Sequence, residues 1–125
     1  MKLRDFPEHA KEAHTSIAKR AKMSLDEFMG HFGDWDCEPV NVHGKPVGAI
    51  LSSGPVMHAC ISGQYGHWGK KHMLKMFHDR IDQHGFVRTS VAEGNRIGEA
   101  FVRRLGFEEV GRAQGIIQSE VRHGH

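Results

Sequence analysis

The stretch from Val91 to Val110, VAEGNRIGEAFVRRLGFEEV, constrains the fold more than any other part of the chain. It reads as the end of a strand, a tight turn, an Asn-capped helix and a Gly-stopped return into another strand. Asn95 is placed to accept a hydrogen bond from a free N–H of the first helical turn. Ile97, Ala100, Phe101 and Leu105 recur at helical spacing on one face. Gly106 stands where a left-handed residue ends a helix, and Phe107 can then fold back onto the last turn. Arg103 and Arg104 lie in that turn, where the helix dipole favours positive charge.

The remaining segments are punctuated in the same way. Pro7 suits a first helical position, and Ala10, Ala13, Ile17 and Ala21 make an apolar stripe over Pro7 to Lys22. Ser24 and Glu27 form a capping box for a short helix carrying Leu25, Phe28 and Met29, with Gly30 and Gly33 expected to end it. Trp35 to Val42, Pro46 to Ser52 and Val56 to Ser62 read as strands separated by Gly turns. A Gly-rich connection leads to a helix from Lys70 to His84, lined by Met73, Leu74, Phe77 and Ile81. Phe86 to Val91, Glu108 to Arg112 and Ile116 to Arg122 read as further strands, and Lys2 to Phe6 as a leading one. The order α-α-β-β-β-α-β-α-β-β predicts an α+β (mixed α/β) fold with a single mixed sheet flanked by helices. At 125 residues the chain is expected to be one domain, 1–125, with helices over 1–34 and the sheet over 35–125.

Composition excludes several classes of function. No apolar run approaches membrane-spanning length, and the N-terminus lacks the apolar core of a secretory signal. The net charge of +2 and the scattered Lys and Arg residues give no nucleic-acid footprint. Cys37 and Cys60 form no CxxC pair, which points to a reducing, cytoplasmic setting. His67, His72, His78 and His84 are spaced by 5, 6 and 6 residues, whereas helical metal ligands stand 3 or 4 apart, so no metal site is expected. His123 and His125 can take up metal only adventitiously. The edge strands and Trp35 point to a possible homodimer.

The pattern N-x-x-x-x-x-F-x-x-x-L-G-F, from Asn95 to Phe107, resembles a segment near the C-terminus of GNAT-type N-acetyltransferases. The hairpin VHGKPVGAI is similar to that family's second and third strands. VMHACISGQYGHWGKKHML is similar to its acetyl-CoA site. The resemblance runs from about Trp35 onward and implies a GNAT-like fold and acetyl-CoA as co-substrate. The family's phosphate loop, Q/R-x-x-G-x-G/A, holds a pyrophosphate on backbone N–H groups and a helix N-terminus. Gln64 fills its first position and Gly69 its last, while His67 stands at the inner Gly. Gln64, Gly66, His67, Gly69 and Lys70 are thereby implied to hold the phosphates. The backbone of Ala59, Cys60 and Ile61 is implied to polarise the thioester carbonyl, and Asn95 and Phe101 to contact the cofactor.

Two departures bear on chemistry. Val102 occupies the position where many members keep a proton-donating Tyr. His58 stands on the strand where many carry a Glu, and it becomes the candidate general base. Trp68 reads as a core or edge anchor, and Cys60 as a core residue. Short chains of this style also resemble proteins of tailed bacteriophages, some acetyltransferases and others internal virion proteins. Two functions therefore stand open. One is acetyl transfer from acetyl-CoA to an unidentified amine acceptor in the cytoplasm, of the host if phage-encoded. The other is a non-catalytic, GNAT-shaped binding protein, with the virion interior as a second location.

Overall fold

A computed structural model describes residues 1–62, 65 and 70–122. Its helices and strands are α1 (Pro7–Ala21), α2 (Leu25–Phe32), β1 (Asp36–Val42), β2 (Lys45–Ser53), β3 (Val56–Ile61), α3 (Lys70–His84), β4 (Phe86–Ala92), α4 (Arg96–Arg104), β5 (Glu108–Ala113) and β6 (Ile116–Arg122). The strands form one mixed sheet in the order β1-β2-β3-β4-β6-β5. β3 and β4 run parallel, with Val56 opposite Arg88, and β1–β2, β4–β6 and β5–β6 are antiparallel. The α+β fold with a single mixed sheet is the one the residue pattern predicts.

Two local expectations are corrected. Lys2 to Phe6 is not a strand: Lys2 makes a single bridge to Asp36, and Leu3–Asp5 is a 3-10 turn. The Asp5 carboxylate accepts the Lys2 N–H at 2.9 Å, and the Asp5 N–H donates to the Lys2 carbonyl at 3.0 Å, which closes the chain into a turn. Gly30 does not end α2, which continues to Phe32 and is capped at Gly33. An exposed Gly inside a helix costs about 1 kcal/mol, and burial of Phe28 outweighs that.

The chain forms two compact units, one of Met1–Ser53 with His58–Met76 and one of Gly54–Met57 with Phe77–His125. In the first, Pro7 opens α1, and the Ser24–Glu27 capping box closes with two bonds of 3.1 Å. Leu3, Ala10, Ala13, Phe28, Ala49, Leu51 and Cys60 form its core cluster. β2 is buried from Val47 to Ser52, as its nearly unbroken apolar run requires. Gly48 is indispensable to that packing. Its φ is 147°, and a Cβ there would collide with the Cys60 carbonyl and stand 2.7 Å from the Ile61 Cα.

In the second unit, Val87, Thr89 and Val91 of β4 alternate with Arg88 and Ser90, and they face Val121, Ser119 and Ile117 of β6 across the ladder. Phe77 and Phe107 pack on one another with centroids 5.7 Å apart. α4 begins as expected, the Asn95 side chain accepting the Gly98 N–H at 3.2 Å. It ends in a Schellman motif. Gly106, with φ 87°, donates to Arg103, and Phe107 donates to Val102. The opposite sheet face carries Glu120, whose carboxylate is 5% exposed and accepts Arg88 and Arg122 at 2.7 Å each. The bond from Arg88, above all, holds that carboxyl below the usual carboxylate range.

Gly48→Ala tests the close approach of β2 to β3. Both the positive φ and the backbone collision oppose any side chain, so urea unfolding should report a loss of at least about 2 kcal/mol.

Candidate functional site

β3 presents its residues alternately, and this decides what each candidate can do. Met57 and Cys60 are buried, His58 is partly buried and Ala59 is exposed. The His58 ring stacks on Trp35, with centroids 5.5 Å apart and planes 25° apart, and meets the edge of Phe32 at 6.0 Å. Phe32 and Trp35 are themselves in edge contact at 4.9 Å. Local chain geometry builds this cluster. Phe32 is the last residue of α2, and the Trp35 N–H returns to its carbonyl at 3.0 Å, so one tight turn delivers both rings. Exposed His31 lies at its border, 4.4 Å from Phe32 and 6.3 Å from Trp35.

This environment sets the chemistry of His58. Burial, followed by the nearby His31, lowers its pKa from 6.5 to about 4. The ring is neutral at physiological pH, but it is a weak base. The aromatic neighbours were not read from the sequence as part of a site. The sequence marks Trp35 as the start of a strand and a dimer contact, and nothing in the spacing of Phe32, Trp35 and His58 signals their contact.

The other candidates are distributed as follows. Cys60 shares a core with α1 and α2 residues, and burial pushes its thiol up to about 12, so it is no nucleophile. Ala59 leaves a small exposed side chain at mid-strand, and Ile61 ends β3. Gln64, Gly66, His67 and Gly69 lie outside the described residues, as do Trp68, His123 and His125. Lys70 opens α3, whose first turn contains no carboxylate. Asn95 spends its side-chain oxygen on the helix cap. Phe101 is partly buried on α4. Val102 is 8% exposed and turned away from solvent.

The second unit contains a cavity that no motif in the sequence signals. It has a volume of about 240 Å³ and lies beneath α4, with Val102 on the α4 side and a floor of Val91, Phe107 and Ile117. Glu99, Arg103, Glu109 and Arg112 stand at its walls with Ser119.

Similarity to known structures supports the reading of the fold. The architecture is that of the GNAT fold. A Pyrococcus horikoshii protein superposes with a TM-score of 0.72 at 12% identity, covering 94% of this chain and 92% of that one. A probable acetyltransferase from Staphylococcus epidermidis superposes with a TM-score of 0.70 at 8% identity, covering 98% and 96%. The PaiA N-acetyltransferase of Thermoplasma acidophilum, solved in complex with coenzyme A, gives 0.63 at 12% identity, covering 97% and 92%. No family model matches the sequence, and comparison with curated proteins finds no match. No helix among the described residues is long and apolar enough to cross a membrane.

The depressed pKa of His58 makes a prediction about acid stability. The folded chain holds the ring neutral, whereas the unfolded chain protonates it near 6.5. Its contribution is complete above pH 6.5 and is lost as pH falls from there toward about 4, below which it changes no further. The loss should reach up to about 3 kcal/mol. Urea unfolding of wild type and His58→Gln across this window should show that the variant lacks this part of the decline.

Proposed function

We propose that this protein transfers an acetyl group from acetyl-CoA to an amine. The observation that carries the reading is the superposition, over nearly the whole chain, on an N-acetyltransferase that holds coenzyme A. Two features of the chain support it. β3 passes an exposed Ala59 at mid-strand, where a slender acyl chain can approach the backbone. α3 then opens on Lys70 with no carboxylate in its first turn, a helix start suited to phosphate oxygens. Gln64, Gly66, His67 and Gly69, in the connection between them, are assigned to the pyrophosphate.

In this reading the amine nitrogen attacks the thioester carbonyl carbon. The C–N bond forms as the C–S bond breaks, giving an acetamide and the coenzyme A thiolate. Backbone N–H groups in the Ala59–Ile61 stretch polarise the carbonyl oxygen. The proton leaving the amine passes to water or transiently to His58. Because the ring is held neutral, it accepts a hydrogen bond at any working pH. Because its pKa is about 4, it adds little driving force. With Val102 in the core, the thiolate takes its proton from water.

Three measurements test this. Acetyl-CoA at about 100 times its Kd should stabilise the fold by about 2.7 kcal/mol, seen as a raised Tm. Gly69→Asp should abolish that rise, since a carboxylate would meet the phosphates. His58→Ala should lower turnover by at most about 10²-fold, the small end of general-base effects, and the pH–rate profile should show no inflection from His58 near 6.5. No rise in Tm with acetyl-CoA would remove the reading. A rise without transfer to any amine would favour the non-catalytic binding protein.

A further inference from the structure

The cavity beneath α4 has no part in the reaction above, and its construction points to a ligand of its own. It begins with an irregularity in β5. Glu109 pairs with Ser119 and Arg112 with Ile117, and the register shifts between Glu109 and Gly111. In a regular strand, residues three apart point to opposite faces. The extra residue, Val110, brings Glu109 and Arg112 to the same face as Ser119 and Ile117. Val110 itself is left 53% exposed. Bulges of this kind re-aim side chains, and they concentrate beside functional sites.

The re-aimed pair is locked in place. Arg112 donates to Glu109 and to Glu93, each at 2.7 Å, and these bonds orient the Arg112 and Glu109 side chains along one wall. The opposite wall belongs to α4. Glu99, Val102 and Arg103 lie at i, i+3 and i+4 and share one helix face, and Phe101 falls on the other flank. Glu99 and Arg103 have the spacing and order of a helical ion pair, yet they do not form one. The Arg103 Nε donates to the Glu99 backbone carbonyl at 3.4 Å instead. Among the described residues, the Glu99 carboxylate and the terminal Arg103 nitrogens have no side-chain partner. One unused anion and one unused cation therefore stand one helical turn apart on the same face of α4, beside a floor of Val91, Phe107 and Ile117.

We propose that this cavity binds a free amino acid with an apolar side chain, its ammonium on Glu99, its carboxylate on Arg103 and its side chain on the apolar floor. The size agrees. A volume of about 240 Å³ equals about eight waters, the bulk of a single amino acid. A simple anion would be repelled by Glu99 and Glu109, and a simple cation by Arg103. An apolar ligand without charge would leave both groups desolvated and unpaired.

The probe is L-leucine, followed by two-dimensional amide NMR on the whole chain without acetyl-CoA. Leucine should give saturable shifts concentrated in α4 and β5. Isopentylamine, which lacks the carboxylate, and 4-methylpentanoate, which lacks the ammonium, should each bind at least about tenfold more weakly. Glu99→Gln and Arg103→Gln should each weaken leucine by a similar factor, with otherwise unchanged spectra. Arg96→Gln, an exposed α4 substitution outside the cavity, should leave leucine binding intact. Absence of saturation up to millimolar leucine would overturn the proposal. So would equal binding of all three probes, or leucine affinity indifferent to Glu99 and Arg103.

Discussion

The first unit depends on one close approach between backbones. At Gly48, β2 lies so near β3 that the Cys60 carbonyl occupies the space of a side chain. One residue along, the Val47 carbonyl accepts the Ser62 N–H at 2.9 Å, just beyond the end of β3. The register of β3 is thereby fixed. Cys60 enters the core under α1 and α2, and His58, two residues earlier on the same face, meets Trp35 and Phe32. A slip of one residue would exchange His58 for Met57 or Ala59 and dissolve the aromatic cluster. The chemistry available to His58 is thus a consequence of a missing Cβ on another strand.

That chemistry is unusual for a histidine in a candidate site. Aromatic packing removes water from the ring, and His31 adds a cationic neighbour when it is protonated. Both effects disfavour the imidazolium. The result is a permanent acceptor rather than a switch near neutral pH. A carboxylate base on the same strand would be charged in its useful form, whereas the buried His58 is neutral in its useful form. The environment therefore suits the residue type, even though it weakens the base.

Much of the fold was legible in the sequence because its signals are local. Pro7, the Ser24–Glu27 box, the Asn95 cap and the Gly106 stop each act within one helical turn, and each is found as read. The errors arise where local signals compete. Lys2 to Phe6 has strand-like residues, but Asp5 turns the chain back on Lys2. Gly30 is a breaker by propensity, and Phe28 packing carries the helix through it. The candidate site was legible only in part. His58 could be named from its strand, but not its enclosure by Phe32 and Trp35, which depends on how a turn at Gly33 meets β3. The cavity beneath α4 was invisible because a bulge at Val110 reverses the facing of every residue after it. A strict alternation from Glu108 would have sent Arg112 to the other side.

The two free margins of the sheet have a further consequence. β5 is one margin and β1 the other. The β5 margin is broken by the Val110 bulge and carries Glu108, Glu109 and Arg112, so an incoming strand would meet an irregular ladder and fixed charges. The β1 margin contains Pro39, which has no N–H to donate, and a register shift between Val40 and Asn41. Near its start it is bridged by Lys2, whose ammonium pairs with Asp36 at 3.0 Å. Both margins are therefore poor templates for strand addition. Edge-to-edge growth of the sheet is opposed at each margin, because an incoming strand finds no regular ladder to continue.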